Sequence, residues 1–443
     1  MSNPGKVVFL LLLLAITLGA PAYAAEAAGA ETAAPAVEEK APAPPELAAR
    51  KAEAEAAREL KFKEALDYKL LKRDEIAPFL EEKVREQFAE GELEALLLAY
   101  EKLGLVKSAE GLAALLVRAY ASEVMAFYDQ KTHTVYLIED LPVPNAMQQI
   151  AQVHELVHAL QDQHFDLNAL PLEETHNSDR SSAAMALVEG DATLATLDYA
   201  AEHAQLSLTD SLRVALFAAE PGPTAPYLFQ RELKFVYFDG LRLAQGLYKK
   251  GGWEALNAAF ADPPASTEQV LHYKDKYIEA RDEPTPVEIP DCCAVLGTGW
   301  ALVADDVLGE LYTQVLFRQH LSFARAAKPS RGWDGDRLHL YRERDGTDTV
   351  LVWRSVWDTD KDAAEFGDAY RKVLVRKLGA RDREIAHDEL GLLVQSEAGA
   401  GLLRVEGTHA LTVEASSATL ARSVMRHVLA GDDDDDDNEP TAE

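Results

Sequence analysis

Cysteine, positive charge and long apolar runs are scarce in this chain, and each scarcity excludes a class of protein. The two cysteines, Cys292 and Cys293, are adjacent and would bridge only with strain, so nothing indicates a disulfide scaffold. Lys and Arg number 44 against 75 Asp and Glu, which gives a formal net charge of −31. This acidic excess argues against nucleic acid or an anionic membrane as a partner. Beyond the N-terminal leader no run approaches eighteen apolar residues, so we expect no stable membrane insertion.

The first 58 residues have the composition of a leader followed by a tether. Lys6 precedes an apolar stretch over residues 7–18 that is short for a membrane span, and Ala22-Tyr23-Ala24 supplies a small-x-small cleavage pattern. We therefore predict a signal peptide over 1–24 and a secreted or periplasmic protein, with an uncleaved anchor as the alternative. Residues 25–58, rich in Ala, Pro and Glu, are predicted to be a disordered linker, in which residues 46–58 could form a solvated helix.

Residues 154–158 read His-Glu-Leu-Val-His, the H-E-x-x-H motif, within a segment free of Gly and Pro. On a helix, His154 and His158 lie one turn apart on the same face and can bind one metal ion at about 2.0–2.1 Å each. Glu155 lies beside that ion and can take a proton from a metal-bound water. The motif predicts zinc as the cofactor and Glu155 as the general base.

A catalytic zinc ion usually has a third protein ligand, and two residues compete for that position. His164 has the spacing of the pattern H-E-x-x-H-x-x-G-x-x-H, but Gln161 stands where that pattern needs a glycine to turn the chain. Glu189 lies in a second long helix, among apolar neighbours, and could complete a His2Glu set from an adjacent helix. We favour Glu189 because its geometry requires no special backbone.

A glutamate base beside a zinc ion is typical of zinc peptidases. Peptide hydrolysis also needs a hydrogen-bond donor that stabilises the oxyanion formed opposite the metal. Two later residues are candidates for this role, with His272 preferred over Tyr237. Upstream of the motif, residues 124–128 and 134–138 alternate around a polar turn and predict a β-hairpin. Its outer edge could hold an extended peptide by backbone hydrogen bonds.

The chain resembles a secreted bacterial zincin-type metallopeptidase of the gluzincin branch, and more closely a poorly characterised group of envelope proteins. The resemblance covers roughly residues 120–360. It implies a His2Glu zinc site, although Thr193 stands where many gluzincins place an Asp that orients a histidine ligand. The matching segments are Ala126-Phe127-Tyr128-Asp129, residues 134–137, residues 154–167, Glu189-Gly190-Asp191-Ala192, Gly251-Gly252-Trp253, Pro263-Pro264, residues 266–272 and residues 332–337.

The predicted architecture is α+β. A mostly helical zincin-like catalytic domain with a short β-hairpin spans 59–290, a smaller α+β domain with helices on one face of an antiparallel sheet spans 291–430, and an acidic disordered tail spans 431–443. The smaller domain contains no phosphate loop or Ser-His-Asp pattern, so we expect it to support the fold or recognise substrate.

We expect a zinc metallopeptidase that hydrolyses peptide bonds of a peptide or protein substrate. In this hypothesis His154, His158 and Glu189 hold zinc, and Glu155 passes the proton of the activated water to the leaving amine. The alternatives are a non-proteolytic envelope binding or assembly protein on the same metal-bound scaffold, and a zinc hydrolase with a non-peptide substrate.

Overall fold

The computed structural model describes residues 45–139, 145–203, 225–321, 327–344, 346 and 348–436. The predicted signal peptide, the first part of the predicted linker and the end of the acidic tail lie outside these ranges. Within them, no helix combines the length and apolar character needed to cross a membrane.

Thirteen helices are found in the described ranges, and most of them precede residue 300. Their apolar residues recur at helical spacing; in the fifth helix, for example, Ile150, Val153, Val157 and Leu160 are all buried. The helices are α1 (Pro45–Arg58), α2 (Arg73–Gln87), α3 (Glu92–Leu103), α4 (Leu112–Glu123), α5 (Asn145–Phe165), α6 (Ser178–His203), α7 (Tyr227–Lys234), α8 (Gly240–Ala261), α9 (Thr267–Leu271), α10 (Cys293–Leu296), α11 (Gly309–His320), α12 (Asp360–Leu378) and α13 (Ala418–Asp436).

A three-stranded sheet precedes helix α5. Its strands are β1 (Asp67–Leu71), β2 (Ala126–Asp129) and β3 (Thr134–Ile138), in the order β1-β3-β2, so β2 is an edge strand. Strands β2 and β3 pair antiparallel and confirm the predicted hairpin. Strand β1 pairs parallel with β3. Strand β1 is an addition to the predicted hairpin in a region expected to be mostly helical, and it gains its stability from pairing with a distant strand.

A seven-stranded antiparallel sheet forms the C-terminal part, so the fold is α+β as predicted. The strand order is β4-β5-β6-β10-β9-β8-β7. Helix α12 packs on one face and α13 on the other, so the prediction that helices cover one face only is wrong. The strands are β4 (Trp300–Asp306), β5 (Trp333–Glu343), β6 (Thr349–Trp357), β7 (Ile385–Asp388), β8 (Gly391–Ser396), β9 (Gly399–Glu406) and β10 (His409–Ala415).

One hydrophobic core joins the two predicted domains. The largest buried cluster contains Leu187 of α6, Tyr312 of α11 and Trp353 of β6, so it crosses the predicted boundary at residue 290. Beyond that boundary the chain forms strand β4 and then helix α11. Helix α11 packs against α6, α7 and α9 as well as against strand β5. The boundary at 290 is therefore a change of secondary structure within a shared core.

Within the predicted linker over 25–58, the helix that the sequence allowed at residues 46–58 is present as α1, but it is packed against other helices and not solvated. It packs against α5 and α6, and its Ala54 and Arg58 are fully buried. The Arg58 guanidinium lies 2.8 Å from the Asp191 carboxylate and 4.2 Å from the ring centre of Trp253. The alanine-rich composition that suggested a tether instead lets this helix approach its neighbours closely, and the buried ion pair anchors its end.

Part of the predicted disordered tail over 431–443 is helical, and residues 437–443 lie outside the described ranges. Helix α13 continues without a break through Asp436. Upstream in the same helix, Val424, Met425 and Val428 are buried against the sheet. That packing fixes the helix at the point where the acidic run begins, and a single Gly431 does not end it.

Replacement of Arg58 by alanine is expected to lower the free energy of unfolding by about 3–5 kcal/mol, because it leaves Asp191 buried without its cation. Urea denaturation measures the change. Arg383→Ala is the control, because the Arg383 side chain is 74% exposed, and it should change stability by less than about 0.5 kcal/mol. A loss below about 1 kcal/mol for Arg58→Ala would show that the ion pair does not anchor α1.

Candidate metal centre

Helices α5 and α6 bring His154, His158 and Glu189 together. The two Nε2 atoms are 3.1 Å apart, and Glu189 Oε2 lies 3.3 Å from His154 Nε2. Glu189 Oε1 lies 3.6 Å from His158 Nε2. The three side chains form a cluster with the composition and spacing of a metal site. Of the two sequence candidates for the third position, the structure therefore places Glu189 beside the histidines.

His164 and His272 lie elsewhere. His164 Nε2 is 2.7 Å from the backbone oxygen of Lys61, on the exposed side of α5, as expected for a residue ten positions along a continuous helix. His272 Nε2 is 2.8 Å from Glu310 Oε2. His272 is thus paired with a buried carboxylate and makes no hydrogen bond to the cluster among the described residues, so its role as an oxyanion donor stays a prediction. Its carboxylate partner, 38 positions away, was not visible in the local sequence.

Tyr237, the second candidate donor, lies at the cluster. Its ring centre is 6.4 Å from that of His154. The side chain is buried, and burial raises the pKa of its hydroxyl well above the usual value, with the charges of Glu189 and Glu155 adding to the effect. Of the two residues proposed for this role from the sequence, Tyr237 is the one whose contacts with the cluster the structure describes.

The distances between the ligand atoms fit a zinc ion. Zinc binds nitrogen and carboxylate oxygen at about 2.0–2.2 Å with tetrahedral angles, which places neighbouring ligand atoms about 3.3–3.5 Å apart. The two Nε2 atoms, 3.1 Å apart, and Glu189 Oε2, 3.3 Å from His154 Nε2, lie close to that spacing, while the carboxylate approaches His158 Nε2 through its other oxygen, Oε1, at 3.6 Å. Two imidazoles and one carboxylate are also a donor set that zinc prefers. The residues present therefore fit the metal.

Each histidine is oriented by a hydrogen bond on its other nitrogen. His158 Nδ1 lies 2.8 Å from Gln161 Oε1, and the Gln161 amide donates to Asp191 Oδ2 and to the backbone oxygen of Val188. Because both amide hydrogens are used, Oε1 is the acceptor and His158 Nδ1 is the donor. The lone pair of His158 Nε2 is therefore directed at the cluster.

Thr196 gives His154 a similar orientation. The Thr196 hydroxyl donates to the backbone oxygen of Ala192 at 2.7 Å, so its oxygen accepts from His154 Nδ1 at 3.3 Å.

Thr193, at the position of the Asp found in many gluzincins, has a buried hydroxyl without a partner in the described part of the chain. Sequence reasoning missed Thr196 and Gln161. Helical spacing was the available signal, since it places both residues on the face of a candidate ligand. Thr196 lies seven positions after Glu189, and Gln161 lies three positions after His158.

Glu155 is fully buried next to the cluster. Its Oε2 accepts a hydrogen bond from the backbone N–H of Tyr128 on edge strand β2, at 2.9 Å. Its Oε1 is buried and has no hydrogen-bond partner among the described residues. Burial raises the pKa of Glu155 well above its usual range. One oxygen is thus fixed by the strand and the other remains available to accept a proton.

The buried cluster also shifts the other pKa values. Burial lowers the pKa of His154. Burial alone would raise the pKa of Glu189, but the charge of the nearby His158 and the hydrogen bond with His154 outweigh it and lower that pKa to about 2. The charge of Glu189 in turn outweighs the burial of His158 and raises its pKa to about 9. Glu189 is therefore held as a carboxylate, which is the form that binds a metal ion.

The cluster can be approached from the side of His154. The His154 side chain is 10% exposed, whereas those of His158 and Glu189 are 1% exposed. A ligand arriving from solvent would therefore meet His154 first.

Comparison with known proteins adds no function to this site. A protein-family model with the description "Domain of unknown function (DUF8575)" matches residues 300–425. No curated protein matches the chain, and no solved structure matches it. The matched region begins at β4 and ends within α13, so it covers the large sheet and leaves out the histidine cluster.

Replacement of Gln161 by methionine is expected to weaken zinc binding about 10- to 100-fold, because the His158 ring loses the acceptor that orients it. Competition with a chromophoric chelator measures the affinity. Gln163→Met, two residues further along α5, is the matched control, since Gln163 Oε1 accepts from the backbone of Lys63 and Glu64 and not from a cluster residue. Equal affinities in both variants would contradict the role of Gln161.

Proposed function

We propose that the protein is a zinc-dependent metallopeptidase with His154, His158 and Glu189 as the zinc ligands and Glu155 as the general base. The observation that carries the proposal is the convergence of two Nε2 atoms and one carboxylate within 3.1–3.6 Å, next to a buried glutamate with a free oxygen. The resemblance to gluzincins agrees with this ligand set. The proposal includes export, which the N-terminal leader pattern supports.

The chemistry divides between the metal and Glu155. A zinc ion bound by the three ligands would polarise the substrate carbonyl and acidify a water molecule. Glu155 Oε1 accepts the proton of that water and then donates it to the nitrogen of the leaving amine. Burial suits Glu155 to this exchange, because it raises the pKa of the carboxyl group and so favours uptake of a proton.

Strand β2 connects the base to the edge at which an extended substrate could pair. The backbone N–H of Tyr128 holds Glu155 Oε2, so the base is fixed relative to this strand. Since β2 is the edge of its sheet, a peptide chain added alongside it would run past the cluster. This arrangement favours a peptide or protein substrate over a small molecule.

A non-proteolytic binding or assembly protein on the same scaffold remains the second candidate. Such a protein has no chemical need for a buried, unpaired carboxylate beside its metal site, and burying one costs stability. The free oxygen of Glu155 therefore favours the enzyme.

Replacement of Glu155 by glutamine tests the proposal. The amide oxygen can still accept from Tyr128, so the fold and the zinc content should be retained, while peptide hydrolysis should fall by at least about a hundredfold. A library of quenched fluorescent peptides measures turnover, and Glu174→Gln, which changes a surface residue paired with Arg180, is the control. Wild-type protein that binds zinc but cleaves no peptide or denatured protein would favour the binding-protein alternative.

A further inference from the structure

Two buried oxygens near the metal centre have no hydrogen-bond partner among the described residues. They are the hydroxyl oxygen of Tyr237 and Oε1 of Glu189. After burial, the charge of Glu189 is the largest influence on the Tyr237 hydroxyl. Leaving a buried hydroxyl or carboxylate oxygen unpaired is costly. A donor and an acceptor of this kind on adjacent elements would satisfy each other.

The backbone around Tyr237 departs from a regular helix at this place. Between α7 and α8, residues Phe235–Asp239 form a π-helical turn, which rotates Tyr237 relative to a continuous α-helix. Single π turns are uncommon and occur frequently at functional sites. This turn packs against α6, the helix that carries Glu189.

Two glycines fix the position along helix α6 at which the start of helix α8 crosses it. A Cβ on Gly190 would lie 2.2 Å from the backbone oxygen of Gly240, and a Cβ on Gly240 would lie 2.2 Å from that of Ala186. The two backbones therefore touch at a point where no side chain fits. Gly190 directly follows Glu189, and Gly240 lies three residues after Tyr237. The crossing thus sets Tyr237 against Glu189.

We propose that Tyr237 is a positioning residue of the metal centre, whose hydroxyl donates a hydrogen bond to Glu189 Oε1. This bond holds the carboxylate with Oε2 directed at His154, where it lies 3.3 Å from Nε2. The role rests on the zinc site of the proposed function and extends it, because it assigns a partner to the one ligand that neither Gln161 nor Thr196 supports. It also differs from the oxyanion-stabilising role considered for Tyr237 from the sequence.

Tyr237→Phe distinguishes the two roles because it removes only the hydroxyl. If Tyr237 positions Glu189, zinc affinity measured by chelator competition should fall about 10- to 100-fold, and kcat at saturating zinc should change much less. Tyr312→Phe is the matched control. Tyr312 also donates to a buried glutamate, Glu232, at 2.6 Å, so this variant tests the same chemical change away from the metal centre and should keep wild-type zinc affinity.

Three results would overturn the role of Tyr237. Equal zinc affinity in wild type and Tyr237→Phe would remove it while leaving the zinc site intact. Unchanged affinity with a large loss of kcat would assign the hydroxyl to the substrate oxyanion instead. A wild-type protein that binds no zinc would overturn the proposed function and this role together, so the failures of the two proposals are distinguishable.

Discussion

A chain of buried polar contacts between helices α1, α5 and α6 is the interaction on which the rest of the structure depends. Arg58 pairs with Asp191, Asp191 accepts from Gln161, and Gln161 orients His158. A charge placed in a protein interior is stable only when it is paired and hydrogen-bonded. Orientation of His158 therefore depends on Arg58, a cation one hundred residues earlier in the chain, at the end of α1.

The large sheet also contributes to the position of the metal ligands. Helix α6 begins at Ser178, whose backbone N–H donates to Asp306 Oδ1 of β4 at 2.8 Å. The N–H groups at a helix start need acceptors, and a carboxylate there is favourable. Since α6 carries Glu189, the sheet holds the helix that would supply the third ligand of the proposed zinc site. The segment matched by the family of unknown function is thus physically coupled to the candidate site.

Sequence alone was sufficient for features that depend on local spacing. The histidine pair follows from helical periodicity, the β2–β3 hairpin from alternation around a polar turn, and Glu189 from an acidic residue in an otherwise apolar helix. The antiparallel sheet of the C-terminal part was predicted as well, without its strand order. These predictions need only the interactions between residues close in the chain.

Features set by distant contacts could not be predicted in this way. Composition made α1 look like a tether, because the partner that buries Arg58 lies 133 residues away. The carboxylate partner of His272 was not visible either, because it comes from another helix. The boundary at residue 290 followed a real change of secondary structure, but a shared core depends on how side chains pack across it. In each case long-range packing decided the outcome.

Zinc stoichiometry of the purified protein tests the central claim most directly. Wild type, Glu189→Ala and His164→Ala would each be equilibrated with zinc and freed of the excess. Mass-spectrometric metal analysis would then give the number of zinc ions per chain for each protein. The account predicts about one zinc per chain for wild type and His164→Ala, and nearly none for Glu189→Ala, because a catalytic zinc site needs three protein ligands. Full zinc in Glu189→Ala, or none in wild type, would contradict it.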